Sequence, residues 1–161
     1  MTDHVLRAAT PGDYDAIAAV VDEWWGRPIL ASLPRLFLDH FHHTSLIAES
    51  PAGPAGLGGP DGPDGMAGFL IGFVSPSQPG EAYIHFVGVA PAARRSGVAR
   101  SMYERFFGIA RDHGRHVVRA ITAPVNERSV AFHRRMGFEA GGPVPGHNGP
   151  GTSLVTFVRT L

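Results

Sequence analysis

The run Val87-Gly88-Val89-Ala90-Pro91-Ala92-Ala93-Arg94-Arg95-Ser96-Gly97-Val98-Ala99 decides the fold of this 161-residue chain. It opens as a strand of small and β-branched residues, breaks at a proline, turns through two arginines and enters a helical pattern. Val98, Met102, Phe106 and Ile109 recur at steps of four, four and three, which predicts a helix over 97–113, with Gly114 at its C-terminus. Main-chain N–H groups at a helix N-terminus lack partners and lie at the positive end of the dipole, so the turn has the geometry of an anion site suited to a pyrophosphate. Gly97 allows close approach of a phosphate. Arg94 and Arg95 supply charge-assisted contacts.

Working outward, Glu81–Val89 reads as a strand whose alternation puts Glu81, Tyr83, His85, Val87 and Val89 on one face. Met66–Val74 is the strand before it, across the turn-rich Ser75–Gly80. Residues 51–65, PAGPAGLGGPDGPDG, hold too little apolar mass to pack and are expected to form a mobile surface loop. Earlier still come a strand at Ser45–Glu49 and a helix from about Pro34 to His43, with Leu33, Phe37 and Phe41 in line. A first helix opens at Thr10-Pro11-Gly12-Asp13, carries Tyr14, Ile17, Val21 and Trp24 on one face and ends at Gly26-Arg27-Pro28. A strand at His4–Ala9 precedes it. Downstream, His116–Thr122 is a strand, Glu127–Met136 a helix closed by Gly137, Gly141–Gly151 a loop and Ser153–Arg159 a last strand. This alternation makes the chain α/β, a mixed sheet with helices on both faces. Consecutive Trp24 and Trp25 cannot share a helix face; Trp24 fits the core, and Trp25 an acceptor pocket or a subunit contact.

Length and a hydrophobic content of 43% fit a single domain over residues 1–161. The 14 basic and 14 acidic residues cancel, which argues against a nucleic-acid partner, since duplex binders need excess cationic charge. All the basic residues are arginine, and with abundant Ala, Gly and Pro this implies a GC-rich, bacterial coding bias. It also removes the Walker A lysine. The absence of cysteine excludes thiolate chemistry and disulfides. The opening residues lack a secretory pattern, and no run reaches the roughly 18 apolar residues of a membrane span, so a cytoplasmic protein without a membrane partner is expected.

The segment Arg94-x-x-Gly97-x-Ala99 resembles the signature of the GNAT superfamily of N-acetyltransferases. Ala123–Phe138 resembles that family's strand-Asn-helix-Gly-Phe segment, and Leu6–Thr10 with Asp13 its first strand and helix, so the resemblance spans nearly the whole chain. It implies a GNAT fold with a mixed, mostly antiparallel sheet of six to seven strands. It implies acetyl-CoA as cosubstrate, lying between the Val87 strand and the 116–122 strand. The pantetheine arm would pair with Val87, Gly88 and Val89, and the pyrophosphate would rest on Arg94, Arg95, Ser96, Gly97, Val98 and Ala99. Asn126 matches an asparagine that contacts the coenzyme. A small-molecule or peptide amine is the implied acceptor, and the family's dimerisation through C-terminal strands makes a homodimer an expectation. An acyl-CoA-binding regulatory domain without catalysis is the competing class on this scaffold.

The chemistry needs a base. An alkylamine with a pKa near 10.4 is mostly protonated at pH 7, at a cost of about 1.36 kcal/mol for each of roughly three units. His85 lies two residues before Val87 and has the right intrinsic pKa; Tyr83 stands where some relatives carry a catalytic glutamate and would relay through water. His133 stands where many members carry a tyrosine that protonates the departing thiolate. His40, His42 and His43 cluster without a matching partner elsewhere and read as a solvated or substrate-lining face, so no metal site is assigned. Gly56, Gly58 and Gly59 fail the dinucleotide fingerprint because the third position is Asp61, and no Gly-x-Ser-x-Gly elbow is present.

Overall fold

The computed structural model describes residues 4–51 and 65–161. In chain order its elements are β1 (Val5–Ala8), α1 (Tyr14–Trp25), α2 (Leu36–Phe41), β2 (Leu46–Glu49), β3 (Met66–Val74), β4 (Glu81–Val89), α3 (Val98–Asp112), β5 (Val117–Thr122), α4 (Glu127–Arg135), β6 (Glu139–Pro145) and β7 (Ser153–Thr160). The strands form one seven-stranded sheet in the order β1-β2-β3-β4-β5-β7-β6. The β1–β2, β2–β3, β5–β7 and β6–β7 pairs are antiparallel, and β4–β5 is parallel. The sheet is thus mixed and mostly antiparallel, as expected.

By contact density the chain divides into two compact units, Met1–Phe73 with Phe86–Phe106, and Val74–His85 with Phe107–Leu161. In the first unit, Met66–Gly72 of β3 is buried throughout. Successive side chains of a strand face opposite ways, so Gly68 and Gly72 share one face while Phe69 and Phe73 share the other. Helix α3 covers the glycine face: a Cβ added to Gly72 would fall 2.5 Å from the Phe106 ring, and one on Gly68 would fall 3.1 Å from Met102. Helices α1 and α2 cover the other, with Trp24 stacked on Phe69 at 6.0 Å and Phe41 on Phe73 at 4.8 Å. Helices therefore flank both faces.

In the second unit, β5 and β7 pair from Val117↔Thr160 to Thr122↔Val155, and β7 carries β6 on its far side. Phe157 of β7 is fully buried and stacks on His133 of α4 at 4.0 Å, with Phe138 edge-on to both.

Three sequence expectations need adjustment. Gly141–Pro145, read as loop, belongs to β6. Two prolines and two glycines masked the strand, yet it lies at the sheet's edge, where proline's missing N–H costs no ladder bond, and its register shifts between Gly141 and Val144. The helix expected over 34–43 is confined to Leu36–Phe41, because the Ser45 hydroxyl donates to the Phe41 carbonyl at 2.8 Å and that of Thr44 to the Gly72 carbonyl at 2.6 Å. Such side-chain bonds draw the backbone out of the helix. The first helix opens with a 3-10 turn, Pro11–Asp13, before α1 begins. Most of the Pro51–Gly65 loop, including Gly56, Gly58, Gly59 and Asp61, lies outside the described residues.

Candidate active site

The stretch from β4 to α3 has the predicted strand–turn–helix form. After Ala90 a short 3-10 turn, Pro91–Ala93, leads to Arg94 in extended conformation, then Arg95 at φ 65° and Gly97 at φ 89°, and α3 begins at Val98. Arg95 is the one residue other than glycine with positive φ among the described residues. For a side chain of that size the left-handed region is costly, and such outliers concentrate where backbone geometry serves a site. The Arg94 and Ser96 N–H groups bond the Pro91 and Ala93 carbonyls at 3.4 and 3.3 Å, so the donors the turn can offer an anion are those around Gly97 and the first turn of α3, whose amides have no intrahelical partner. A Cβ at Gly97 would meet no protein atom within 4 Å, so the space before it is open. The glycine at 88 has a different cause, since a Cβ there would fall 2.5 Å from the Phe69 ring.

Strand β4 shows the predicted alternation in full: Glu81, Tyr83, His85, Val87 and Val89 are half-buried and the residues between them buried. Its backbone directions follow from its contacts. The Ala90 N–H donates to the Ala67 carbonyl of β3 at 2.8 Å, and the Gly88 carbonyl lies on the Gly68 side. Neighbouring residues of a strand point their N–H and C=O groups to opposite edges, so those of Val87 and Val89 point away from β3. Parallel pairing of β4 with β5 runs through Glu81↔Val117, Ala82↔Val118 and Tyr83↔Arg119, and Arg119 forms an ion pair with Glu81 at 2.8 Å.

Burial raises the Tyr83 pKa above the ordinary phenol value, so the hydroxyl stays protonated at neutral pH and serves as a donor or relay. Asn126 is the N-cap of α4, its Oδ1 accepting the Ser129 N–H at 3.2 Å. His133 sits on the buried side of the same helix with 6% exposure. Its Nδ1–H donates to the Ser129 carbonyl at 2.7 Å, and burial lowers its pKa despite that bond. The ring is therefore a neutral imidazole at pH 7.

Two contacts escaped the sequence reading. The Trp25 indole N–H donates to the Val87 carbonyl at 3.1 Å while its ring packs on Phe86 at 4.7 Å. The Arg94 Nη2 donates to the Trp24 carbonyl at 2.6 Å. Trp24 itself is buried, as expected. Of the three clustered histidines, His42 accounts for its Nδ1 by bonding the Leu38 carbonyl at 2.9 Å.

Comparison with known proteins agrees with this architecture, and its first result is a class: acyltransferases. The model of the acetyltransferase (GNAT) family matches residues 17–138, and the chain belongs to that family. No curated protein sequence matches it. Among solved structures, the ribosomal-protein-S18-alanine N-acetyltransferase of Escherichia coli superposes with a TM-score of 0.71 at 14% identity, over 98% of this chain and 94% of that one. Diaminobutyrate acetyltransferase of Paenibacillus lautus, in complex with L-2,4-diaminobutyric acid and coenzyme A, gives 0.68 at 22% identity over 98% and 95%. The Salmonella typhimurium protein yncA, with its cofactor acetyl-CoA, gives 0.70 at 19% identity over 99% and 95%. At these identities the likeness establishes the fold. Among the described residues no helix is long and apolar enough to cross a membrane.

Proposed function

We propose that the protein is a single-domain N-acetyltransferase that moves the acetyl group of acetyl-CoA to a primary amine by direct attack on the thioester. The turn of residues 94–99 carries this reading: a left-handed Arg95 leads to an open Gly97 and the start of α3, whose first-turn amides would be the donors to a pyrophosphate. Solved relatives of the same fold hold acetyl-CoA or coenzyme A.

The acyl end would lie along Val87 and Val89, whose amides point away from β3. One of them would donate to the carbonyl oxygen as it becomes an oxyanion, a form of preorganised stabilisation. The amine nitrogen bonds to the thioester carbon, the C–S bond breaks and the coenzyme leaves as thiolate; the amine's surplus proton passes to His85. Tyr83, kept neutral by burial, relays that proton or orients the acceptor. A thiol pKa near 8.5 makes the thiolate a fair leaving group. The sequence-based expectation that His133 protonates the thiolate is not carried into this step, because the neutral ring spends its one N–H on the Ser129 carbonyl and has no proton to give. Asn126, at the start of α4, matches the family's coenzyme-contacting asparagine. The neighbours act on a protein alanine and on a small diamine, and both classes of amine belong in the test.

That test is acetyl-CoA-dependent release of free thiol by the purified protein, with amino acids, polyamines, aminoglycosides, aromatic amines and peptide N-termini as acceptors and a no-acceptor control. Acceptor-dependent release is expected, with His85→Ala lowering kcat/KM by about 10²–10³ and Tyr83→Phe by less. Binding of acetyl-CoA without turnover against any acceptor would favour a regulatory acyl-CoA-binding domain. Turnover undiminished in both variants would remove His85 and Tyr83 from the mechanism.

A further inference from the structure

The last two residues of α1 reach both ends of the segment that the proposed function assigns to the coenzyme. Trp25 donates its indole N–H to the Val87 carbonyl at 3.1 Å, and the Trp24 carbonyl accepts from Arg94 at 2.6 Å. Val87 and Arg94 bracket the β4 exit, the Pro91 turn and the approach to Gly97. The Val87 carbonyl and N–H share the edge of β4 that points away from β3, where a strand-like ligand would pair. We infer that Trp25 is a positioning residue: it holds the Val87 carbonyl so that the Val87 and Val89 amides stand in place before the acyl-pantetheine arm arrives.

The inference rests on the proposed acetyl-CoA site and adds to it a residue outside the family motifs. The β3 ladder holds one edge of β4 as far as Ala90, whereas the β4–β5 pairing runs over Glu81–Tyr83 and Val87 lies beyond it. Whatever freedom the ligand must order along that second edge is subtracted from affinity. A single indole bond, backed by the Phe86 contact at 4.7 Å, removes that cost in advance. Arg94 works in the same direction, because it anchors the turn to α1 through one of its five N–H donors. The acyl-pantetheine half of the ligand should therefore depend on Trp25, and the adenosine diphosphate half should not.

Trp25→Phe keeps an aromatic ring against Phe86 and removes only the donor. Titration calorimetry on the full chain with acetyl-CoA and, separately, with adenosine 3′,5′-diphosphate distinguishes the outcomes, while emission of the remaining Trp24, 7% exposed, reports that the fold is intact. The expected result is acetyl-CoA binding weakened about five- to tenfold, the scale of one neutral hydrogen bond, with the nucleotide fragment unchanged. Equal weakening of both ligands would overturn the inference in favour of a general structural role. Unchanged or tighter acetyl-CoA binding would overturn it too, tighter binding meaning that the indole competes with the ligand for the Val87 carbonyl. Wild-type protein that binds neither ligand would overturn the proposed function, and the inference with it.

Discussion

At the scale of the residue, His133 shows how burial sets what a titratable group can do. Its ring is stacked on Phe157 at 4.0 Å and nearly parallel, edge-on to Phe138, and bonded through Nδ1 to the Ser129 carbonyl. Burial is the larger influence and lowers its pKa; the carbonyl opposes it and loses. The sign of the stability effect follows. A group whose folded pKa lies below its unfolded value near 6.5 contributes stability that is present above pH 6.5 and is lost as pH falls through the folded value. His133→Phe retains the stack and removes both the titration and the bond to Ser129. At pH 8 the variant should be less stable than wild type by roughly 0.5–1.5 kcal/mol, and the gap should close as the pH is lowered from 6.5 toward 5. Urea denaturation of both proteins across that range measures it; a gap that widened in acid would mean that the folded protein favours the imidazolium. Asp13 shows the same sign in a lower window. Burial would raise its pKa, but hydrogen bonds from Arg7 and the Thr10 N–H outweigh burial and leave it lowered.

At the scale of the element, the contact between α3 and β3 depends on glycine for space. Gly72 is pinned, with the Thr44 hydroxyl on its carbonyl at 2.6 Å and its own N–H on the Ser45 oxygen at 3.2 Å, and fully buried Phe106 stands where a Cβ would go. Gly72→Ala should therefore cost about 1–3 kcal/mol, the range for overpacking a rigid core. Gly108, inside α3, is the internal contrast: a Cβ there meets nothing within 4 Å, so Gly108→Ala should stabilise by about 0.4–1 kcal/mol through helix propensity and a less flexible unfolded chain. Opposite shifts in urea midpoint are the expected pair, and a Gly72→Ala protein as stable as wild type would place α3 further from β3 than the structure has it. Local features made α3, β3 and β4 legible in the sequence, since Val98, Met102 and Phe106 mark a helical face and Glu81–Val89 alternates without interruption. The chain around 94–99 was legible for the same reason, because a strand, a proline break and a glycine at a helix start lie within thirteen residues. Strand β6 was hidden because its Gly-Gly-Pro run is tolerated only at a sheet edge, a position the sequence does not display. The Trp25–Val87 bond spans 62 positions, and no periodicity reports a contact made by tertiary packing. The structure also gave Asn126 a capping task and Gly88 a packing reason that spacing alone does not separate from ligand contact.

At the scale of the whole molecule, a ligand that binds only the folded chain stabilises it by mass action, whichever atoms it touches. Acetyl-CoA at about 100 times its dissociation constant adds roughly 2.7 kcal/mol. For a chain of this length each kcal/mol moves the thermal midpoint by about 2–4 °C, so a rise of roughly 5–10 °C is expected. One calorimetric transition is expected as well, because a single domain unfolds cooperatively; two resolved transitions would contradict the single-domain proposal. Gly97→Glu locates the effect. No protein atom lies within 4 Å of the Cβ it would introduce, but its φ of 89° strains any side chain, so the midpoint without ligand should fall by only a few degrees, on the order of 1–2 kcal/mol. The carboxylate would stand in the cradle assigned to the pyrophosphate and take its place at the amides. Addition of acetyl-CoA should therefore raise the wild-type midpoint and leave that of Gly97→Glu where it was. Equal shifts in the two proteins would move the coenzyme away from the 94–99 turn, and no shift in wild type would remove acetyl-CoA as the cosubstrate.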